Sequence, residues 1–532
     1  MLSETSRARI CAPVCVPRAA ALRQSIERAT EFADLVELRL DCLEEGQFDI
    51  ARDQLGALLN TTRLPFIITF RPREQGGHRS ISVDERVAFW QHAPELLRDA
   101  HAGGRVVFAD LELDLLESPQ AAAFDQLFRS FKVICSHHDF QRTPAGLGEI
   151  FERMMRTHAN VLKFAVRANA ITDCVEVMQL IERGRRAGRE VIAVSMGEAG
   201  LLTRVLAPAF GGFLTYGSLD AAQATAPGQI SARDLRGLYR IHELSERTMV
   251  TALVGSPVGH SFSPHMHNAA FKALGLDAVY LPLEVADVSE FVRRMADPRT
   301  RELAWNLRGL SVTAPHKQAI IAHLDRVAPS AASIGAVNTV VITRDGLEGF
   351  NTDADASVVP LGGLLELRGA RVAIIGAGGA ARALLWALNE RGARATVFAR
   401  DIKRCGRVAS EFGVEAAALE GARFDKFDVV VNATPLGTRG ERELQTPATI
   451  SQLRGARVAY DMVYNPSQTL FMREAGEAGC RTTGGLPMLV AQAEEQFRLW
   501  TGQEPPPGLM QSAAEKKLLE VGDQMTVKSD NF

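Results

Sequence analysis

A lysine inside an apolar stretch is the first feature of this 532-residue chain that invites chemistry. Lys163 stands in NVLKFAV, flanked by Val161, Leu162, Phe164 and Val166. Desolvation and nearby positive charge would make its amine nucleophilic, and a neutral amine attacks a ketone to form a Schiff base. The plain alternative is a strand lysine whose ammonium reaches solvent. His138, in SHHDF, is placed to move protons. His137 beside it should face the other way, because adjacent strand residues alternate. Glu37, Arg39 and Arg71 sit within or at the end of other apolar segments. Burying these five groups without partners would be costly, so one shared site is the better reading.

A second constellation lies beyond residue 250. RVAIIGAGGAARALLWAL (371–388) reads as a strand ending at Gly376, a turn with Gly378 and Gly379, and a helix. Such a turn lets backbone N–H groups and a helix N-terminus approach a pyrophosphate. A further strand, ATVFAR (395–400), follows at the distance a dinucleotide fold requires. Ser261 and Ser263 form a polar turn before a helix, where Ser263 alone would read as a cap. Lys317 in LSVTAPHKQAI and Asp353 in GFNTDADA are turn residues of a kind that is usually structural. Brought together, they would supply the proton that a ketone under reduction needs, each biasing the other's protonation.

Ordered elements must position these groups. Eight short apolar or β-branched segments precede residue 220, at 10–16, 35–40, 65–70, 106–113, 131–136, 160–166, 191–196 and 213–218. Helix-like sequence fills most of the gaps. Strand–helix alternation repeated eight times predicts a (β/α)8 barrel with its polar groups at the mouth; an open doubly wound sheet is the competitor. The polar stretch IHELSERTM (241–249) is a candidate junction before a fresh strand pattern. Length suggests several domains. With 46% hydrophobic residues, 23% charged and a formal charge of −3, nucleic acid and anionic membrane are poor partners. No apolar stretch approaches bilayer length. Arg7 and Arg9 precede a run that Pro13 and Pro17 break, so no signal or transit peptide is expected there. The seven cysteines are scattered and none forms a CxxC pair. We therefore expect no disulfide framework, no metal site and a cytoplasmic location.

The segments VELRLD, TFRPREQGG, SHHDF, LKFAV, SMGEAGLLTRVLAPAFGG and ATAPGQ resemble, in this order, the type I 3-dehydroquinate dehydratase family. The resemblance implies a (β/α)8 barrel with Lys163 as Schiff-base lysine and His138 as general acid/base. It further implies that Glu37, Arg39, Arg71, Arg204, Thr225 and Gln229 bind substrate, Arg204 clamping a carboxylate. One position departs: where the family has a Glu before Gly-Gly, this chain has Gln75, with Glu74 one residue earlier. Either Glu74 substitutes for it, or the histidine works with less assistance.

SFSP, SVTAPHK, GAVNT, NTD, GAGGAARA, NATPLG, DMVYNPSQT and GLPMLVAQA, over residues 250–502, resemble the shikimate dehydrogenase family. This implies Lys317 and Asp353 as catalytic pair, with Ser261, Ser263, Thr313, Asn338 and Gln492 on the substrate and Tyr464 closing the site. Gly376, Gly378, Gly379, Ala380, Arg400, Thr434 and Met488 would line NADP(H). The expected architecture is α/β: a barrel over 1–242, a substrate domain over 250–355 completed by 485–520, and a Rossmann domain over 356–484. The partners implied are small molecules: 3-dehydroquinate, 3-dehydroshikimate and shikimate. At FARDIKRC, Arg400, Lys403 and Arg404 favour a 2′-phosphate, whereas Asp401 as ribose ligand would favour NAD. A quinate dehydrogenase is the alternative for the second half, though both serines of SFSP favour the shikimate pocket. An inactive binding module is opposed by retention of Lys163, His138, Lys317 and Asp353.

Overall fold

A computed structural model of the chain describes residues 8–96, 106–220 and 225–529. Residues 1–7, including Arg7 of the stretch where no targeting signal is expected, and Ala224 of ATAPGQ lie outside the described residues. The chain divides into two compact units: 1–249 with the short segments 283–295 and 300–306, and the remainder.

The first unit holds eight parallel strands: β1 (Ile10–Val14), β2 (Leu35–Arg39), β3 (Phe66–Thr69), β4 (Val107–Glu112), β5 (Lys132–Asp139), β6 (Val161–Arg167), β7 (Glu190–Met196) and β8 (Thr215–Tyr216). Their order is β7-β6-β5-β4-β3-β2-β1-β8. The Phe213 N–H, just before β8, donates to the Val191 carbonyl of β7 at 2.8 Å and draws the ends together. This is the (β/α)8 barrel, not the open sheet.

Alternation along each strand explains where the site falls. Residues two apart share a face. Cys11, Leu35, Ile67, Phe108, Ile134 and Val161 pack together as an apolar layer. Two residues further along five of these strands come Glu37, Thr69, Asp110, Ser136 and Lys163, all buried. Register puts Thr69 beside Asp110 and Ser136 beside Lys163. Each of these five strands thus carries an apolar plug followed by a polar group near its C-terminal end, where barrels keep their chemistry. Strand β5 runs further than expected. His138 pairs with Ala165 of β6, so the histidine lies in the strand rather than after it. It shares the inner face of Ser136, the partner of Lys163.

The cysteine expectation is corrected. Cys15 and Cys42, 27 residues apart, form a disulfide with Cα atoms 5.4 Å apart. Sequence spacing conceals the pairing because the two residues follow adjacent parallel strands, β1 and β2.

The second unit contains two further sheets. One has the order β10-β9-β11-β13-β14-β12, formed by Met249–Gly255 (β9), Ala278–Glu284 (β10), Leu307–Val312 (β11), Arg326–Val327 (β12), Thr339–Thr343 (β13) and Gly346–Phe350 (β14). Helix Leu486–Thr501 ties to it through Trp500 Nε1, which donates to the Val340 carbonyl at 3.1 Å. The other sheet is parallel throughout, in the order β17-β16-β15-β18-β19-β20. Its strands are Arg371–Ile375 (β15), Arg394–Ala399 (β16), Glu415–Ala418 (β17), Val429–Asn432 (β18), Val458–Asp461 (β19) and Arg481–Thr483 (β20). This is the dinucleotide-fold order, with its switch point between β15 and β18. No helix among the described residues is long and apolar enough to cross a membrane.

Candidate active sites

In the barrel, Lys163 is 4% exposed. Its Nζ lies 2.7 Å from Asp110 Oδ2 and 3.5 Å from Glu37 Oε1, over the Tyr216 ring. The nearest charges are therefore carboxylates, not the cations expected. Arg71 is one partner further out, 2.8 Å from the same Asp110 oxygen. Burial pushes the Asp110 carboxyl up, but the Lys163 and Arg71 charges prevail and hold it at about 2. It stays ionised and fixes the amine in place. For Glu112, burial prevails and raises the carboxyl to about 7, despite Arg71 and Arg86 nearby.

His138 faces the same interior. Both its ring nitrogens are buried without a hydrogen-bond partner among the described residues. Burial, then the positive charges of Arg71 and Lys163, press its pKa well below the ordinary value. The imidazole is therefore neutral near pH 7, the form a general base needs. Gln75 Oε1 is likewise buried and unpartnered, and Glu74 is exposed. The histidine thus draws no carboxylate support from that turn. The acid limb of dehydratase kcat/KM should accordingly lie below the ordinary imidazole range, because the ring stays unprotonated past its usual titration point. A limb at or above the usual imidazole value in a pH–rate profile would contradict this.

Arg204 is fully buried, donates from Nη2 to the Pro227 carbonyl at 3.0 Å, and keeps an unpartnered Nε. Burial lowers its pKa to about 10. No carboxylate bonds it among the described residues, so an anionic ligand would complete it. Thr225 and Gln229 bond to one another: the Thr225 N–H and hydroxyl both donate to Gln229 Oε1, at 2.8 and 3.2 Å. Arg39 forms a bidentate pair with Asp41, at 2.9 and 2.7 Å.

In the second unit a cavity of about 680 Å³ is lined by strand residues of the first sheet and by the segments that follow β15, β18 and β19 of the second. Lys317 Nζ lies 2.5 Å from Asp353 Oδ2 in its wall. Ser261, Ser263, Thr313, Asn338, Tyr464 and Gln492 line it too, as do Gly378, Gly379, Ala380, Thr434 and Met488. Gly376 and Arg400 do not. Gly376 has φ +125°, and a Cβ there would lie 2.8 Å from the Ala433 carbonyl oxygen, so its smallness serves strand packing. Arg400 is exposed just past β16. A Cβ on Gly379 would meet Lys317 Cδ at 3.1 Å, which shows how close the glycine turn comes to the lysine. Ser263 is the first residue of the helix Ser263–Ala273, not its cap, and the Ser261 Oγ accepts from the Ser263 N–H at 3.2 Å. Asn338 is fixed by Thr352: its Nδ2 donates to Thr352 Oγ1 at 3.0 Å, and its Oδ1 accepts from the Thr352 N–H at 2.8 Å.

The type I 3-dehydroquinase profile matches residues 10–246. The shikimate dehydrogenase substrate-binding profile matches 253–340, and the shikimate 5′-dehydrogenase C-terminal profile 485–515. The chain is 33% identical over 521 residues to the chloroplastic bifunctional 3-dehydroquinate dehydratase/shikimate dehydrogenase of Arabidopsis thaliana, covering 93% of this chain and 82% of that protein. The chain belongs to this bifunctional dehydratase/dehydrogenase family. Its dehydrogenase unit is 42% identical to the NADP(+) shikimate dehydrogenase of Thermus thermophilus, over half of this chain and 98% of that one. A crystal structure of shikimate 5-dehydrogenase from the same species, with NADP(H) and shikimate, is 39% identical over 51% of this chain and all of that one, with a TM-score of 0.45.

Several residues of the dehydratase unit escaped sequence reasoning although their signal was present. Asp110 and Glu112 stand two apart in the apolar strand VVFADLEL, the same pattern that marked Glu37 and Arg39. Asp41 follows Arg39 by two. In the dehydrogenase unit, Ser311 and Gln496 line the cavity and bond to each other at 2.6 Å. Gln496 is four residues after Gln492, on the same helix face.

Proposed function

We propose that the barrel dehydrates 3-dehydroquinate to 3-dehydroshikimate, and that the second unit reduces this product to shikimate with NADPH. The observation that carries this reading is a lysine–aspartate pair in each unit: Lys163 with Asp110, buried in the barrel, and Lys317 with Asp353, part-buried in the cavity wall. In the barrel, Lys163 attacks the substrate ketone and water leaves as the iminium forms. The iminium draws electrons from the neighbouring C2–H bond. His138 takes the C2 proton, the C1 hydroxyl departs as water with a returned proton, and water then hydrolyses the imine to release 3-dehydroshikimate and free the Lys163 amine. Arg204 holds the substrate carboxylate, a role suited to a buried guanidinium that no carboxylate among the described residues bonds. Glu37, Arg39, Arg71, Thr225 and Gln229 hold the remaining polar groups.

The dehydrogenase cavity fits a dinucleotide. The turn Gly378–Ala380 faces it at the start of helix Gly379–Glu390, and nothing lies within 4 Å of a Cβ built on Gly378, so backbone N–H groups are approachable. Hydride comes from the reduced nicotinamide of NADPH. Lys317 gives the proton to the C3 oxygen, and Asp353 holds both that lysine and the hydroxyl formed. Ser261, Ser263, Asn338 and Gln492 orient the substrate, and Tyr464 covers it.

Asp401 supports NADPH over NADH. Its Oδ1 accepts from the Lys403 and Arg404 N–H groups at 3.0 and 3.1 Å. The carboxylate therefore caps a helix instead of holding a ribose. Arg404 lines the cavity, and Arg400 stands at the strand end. A charge-assisted bond to phosphate is worth about 2 kcal/mol, so Arg400→Ala and Arg404→Ala should each cut NADPH-over-NADH selectivity about 30-fold. Comparing kcat/KM for the two cofactors decides it. A wild-type preference for NADH would sink the assignment. We also propose a cytoplasmic location, which fractionation of the source cells checks.

A further inference from the structure

We propose that Cys15 and Cys42 are a reversible thiol–disulfide pair that sets how firmly the dehydratase unit holds its substrate, with Cys15 as attacking thiol and His78 as its base. The inference rests on the dehydratase reading of the barrel. The pair occupies the rim of the mouth. Cys15 follows the end of β1, one residue past Val14, which pairs with Leu38 of β2. Cys42 closes the turn Leu40–Cys42 directly after β2. Both sulfurs and the exposed His78 imidazole lie within 4.8 Å of one another, with His78 Nε2 3.6 Å from Cys15 Sγ. The other five cysteines are buried and unpaired, so a thiol reagent in solution meets this pair first.

The bond's neighbours connect it to the substrate site. Cys42 is covalently next to Asp41, a fully buried carboxylate that holds Arg39 by two hydrogen bonds. Asp41 also accepts the His78 N–H at 3.2 Å, and Arg39 donates to the Gly76 carbonyl at 3.2 Å. The Gly76–His78 loop is pressed onto the end of β3: a Cβ on Gly77 would lie 1.9 Å from the Arg71 carbonyl oxygen. Arg39 is thus held by a carboxylate flanked by Cys42, which oxidation ties to Cys15, and by His78, whose Nε2 lies 3.6 Å from Cys15 Sγ. When the disulfide opens, the tether between β1 and the Asp41 turn is lost, and Arg39 is held less firmly.

The step uses a low-molecular-weight disulfide of the glutathione class as oxidant. His78 takes the Cys15 proton, and the thiolate attacks one sulfur of the disulfide, releasing one thiolate. Cys42, deprotonated in turn, attacks Cys15 Sγ of the mixed disulfide and releases the second. The two protons end on the two released thiols, so the protein dithiol is oxidised and one small disulfide becomes two thiols.

The test equilibrates the purified full-length chain across ratios of oxidised to reduced glutathione, then alkylates and digests it. A linked peptide containing Cys15 and Cys42 should appear and vanish reversibly. In the reduced form the dehydratase KM should rise about tenfold through lost positioning, with shikimate oxidation constants unchanged. Cys15→Ser should show the reduced KM at every ratio, and His78→Gln should slow disulfide formation without moving its midpoint. No linked peptide at any ratio, or equal KM in both forms of the wild type, overturns the proposal. So does stoichiometric zinc on the reduced protein that Cys15→Ser removes, which would make the cluster a metal site. Absence of dehydratase turnover in both forms instead overturns the reading of the barrel, and the linked-peptide mass still decides whether the pair exists.

Discussion

The Lys163→Ala protein should lose dehydratase turnover by about a thousandfold or more while oxidising shikimate at the wild-type rate. The loss is large because no other amine can take the place of Nζ: the groups around it are Asp110, Glu37 and the Tyr216 ring. Folding should survive, because Asp110 keeps its ion pair with Arg71 and Glu37 keeps the hydroxyl bond from Thr69 at 2.8 Å. Borohydride added with substrate should give wild-type protein a stable mass increase that maps to Lys163. An adduct of the same mass on the alanine variant would remove Lys163 from the mechanism.

The second large effect belongs to the dehydrogenase pair. Lys317→Ala or Asp353→Asn should each lower shikimate oxidation by about 10²–10⁴-fold, the range of a lost general acid, with a much smaller change in NADPH binding. The two residues share one bond of 2.5 Å, so removing either disables the other. The double variant should consequently cost less than the product of the single losses. Strictly multiplicative losses in steady-state kinetics would mean that the two act independently. Dehydration of 3-dehydroquinate should survive both changes.

The sequence carried the barrel well because β-strand alternation is local. Leu35, Glu37 and Arg39 already describe a wall that turns from apolar to polar toward the mouth. It carried the glycine turn and the Lys317–Asp353 pairing through motif context. It misjudged what depends on neighbours across strands. The charge beside Lys163 comes from Asp110 on β4, and no spacing around the lysine announces it. Cys15 and Cys42 meet only because β1 and β2 run side by side. The missing carboxylate at Gln75 was legible in the sequence, but that Glu74 is exposed and does not take its place became visible only with the turn Arg73–Gln75 in place. The sequence singled out Arg400 among the cations of FARDIKRC, whereas only Arg404 of the two lies in the cavity wall.

The central claim is that one chain performs both steps, and a coupled assay tests it most directly. Purified protein is given 3-dehydroquinate and NADPH, and shikimate is measured together with NADPH consumption. The account predicts one shikimate formed per NADPH oxidised. Lys163→Ala should make none from 3-dehydroquinate but should still reduce added 3-dehydroshikimate, and Lys317→Ala should accumulate 3-dehydroshikimate. Absence of shikimate from the wild-type reaction, or shikimate made from 3-dehydroquinate by the Lys163→Ala protein, would contradict it.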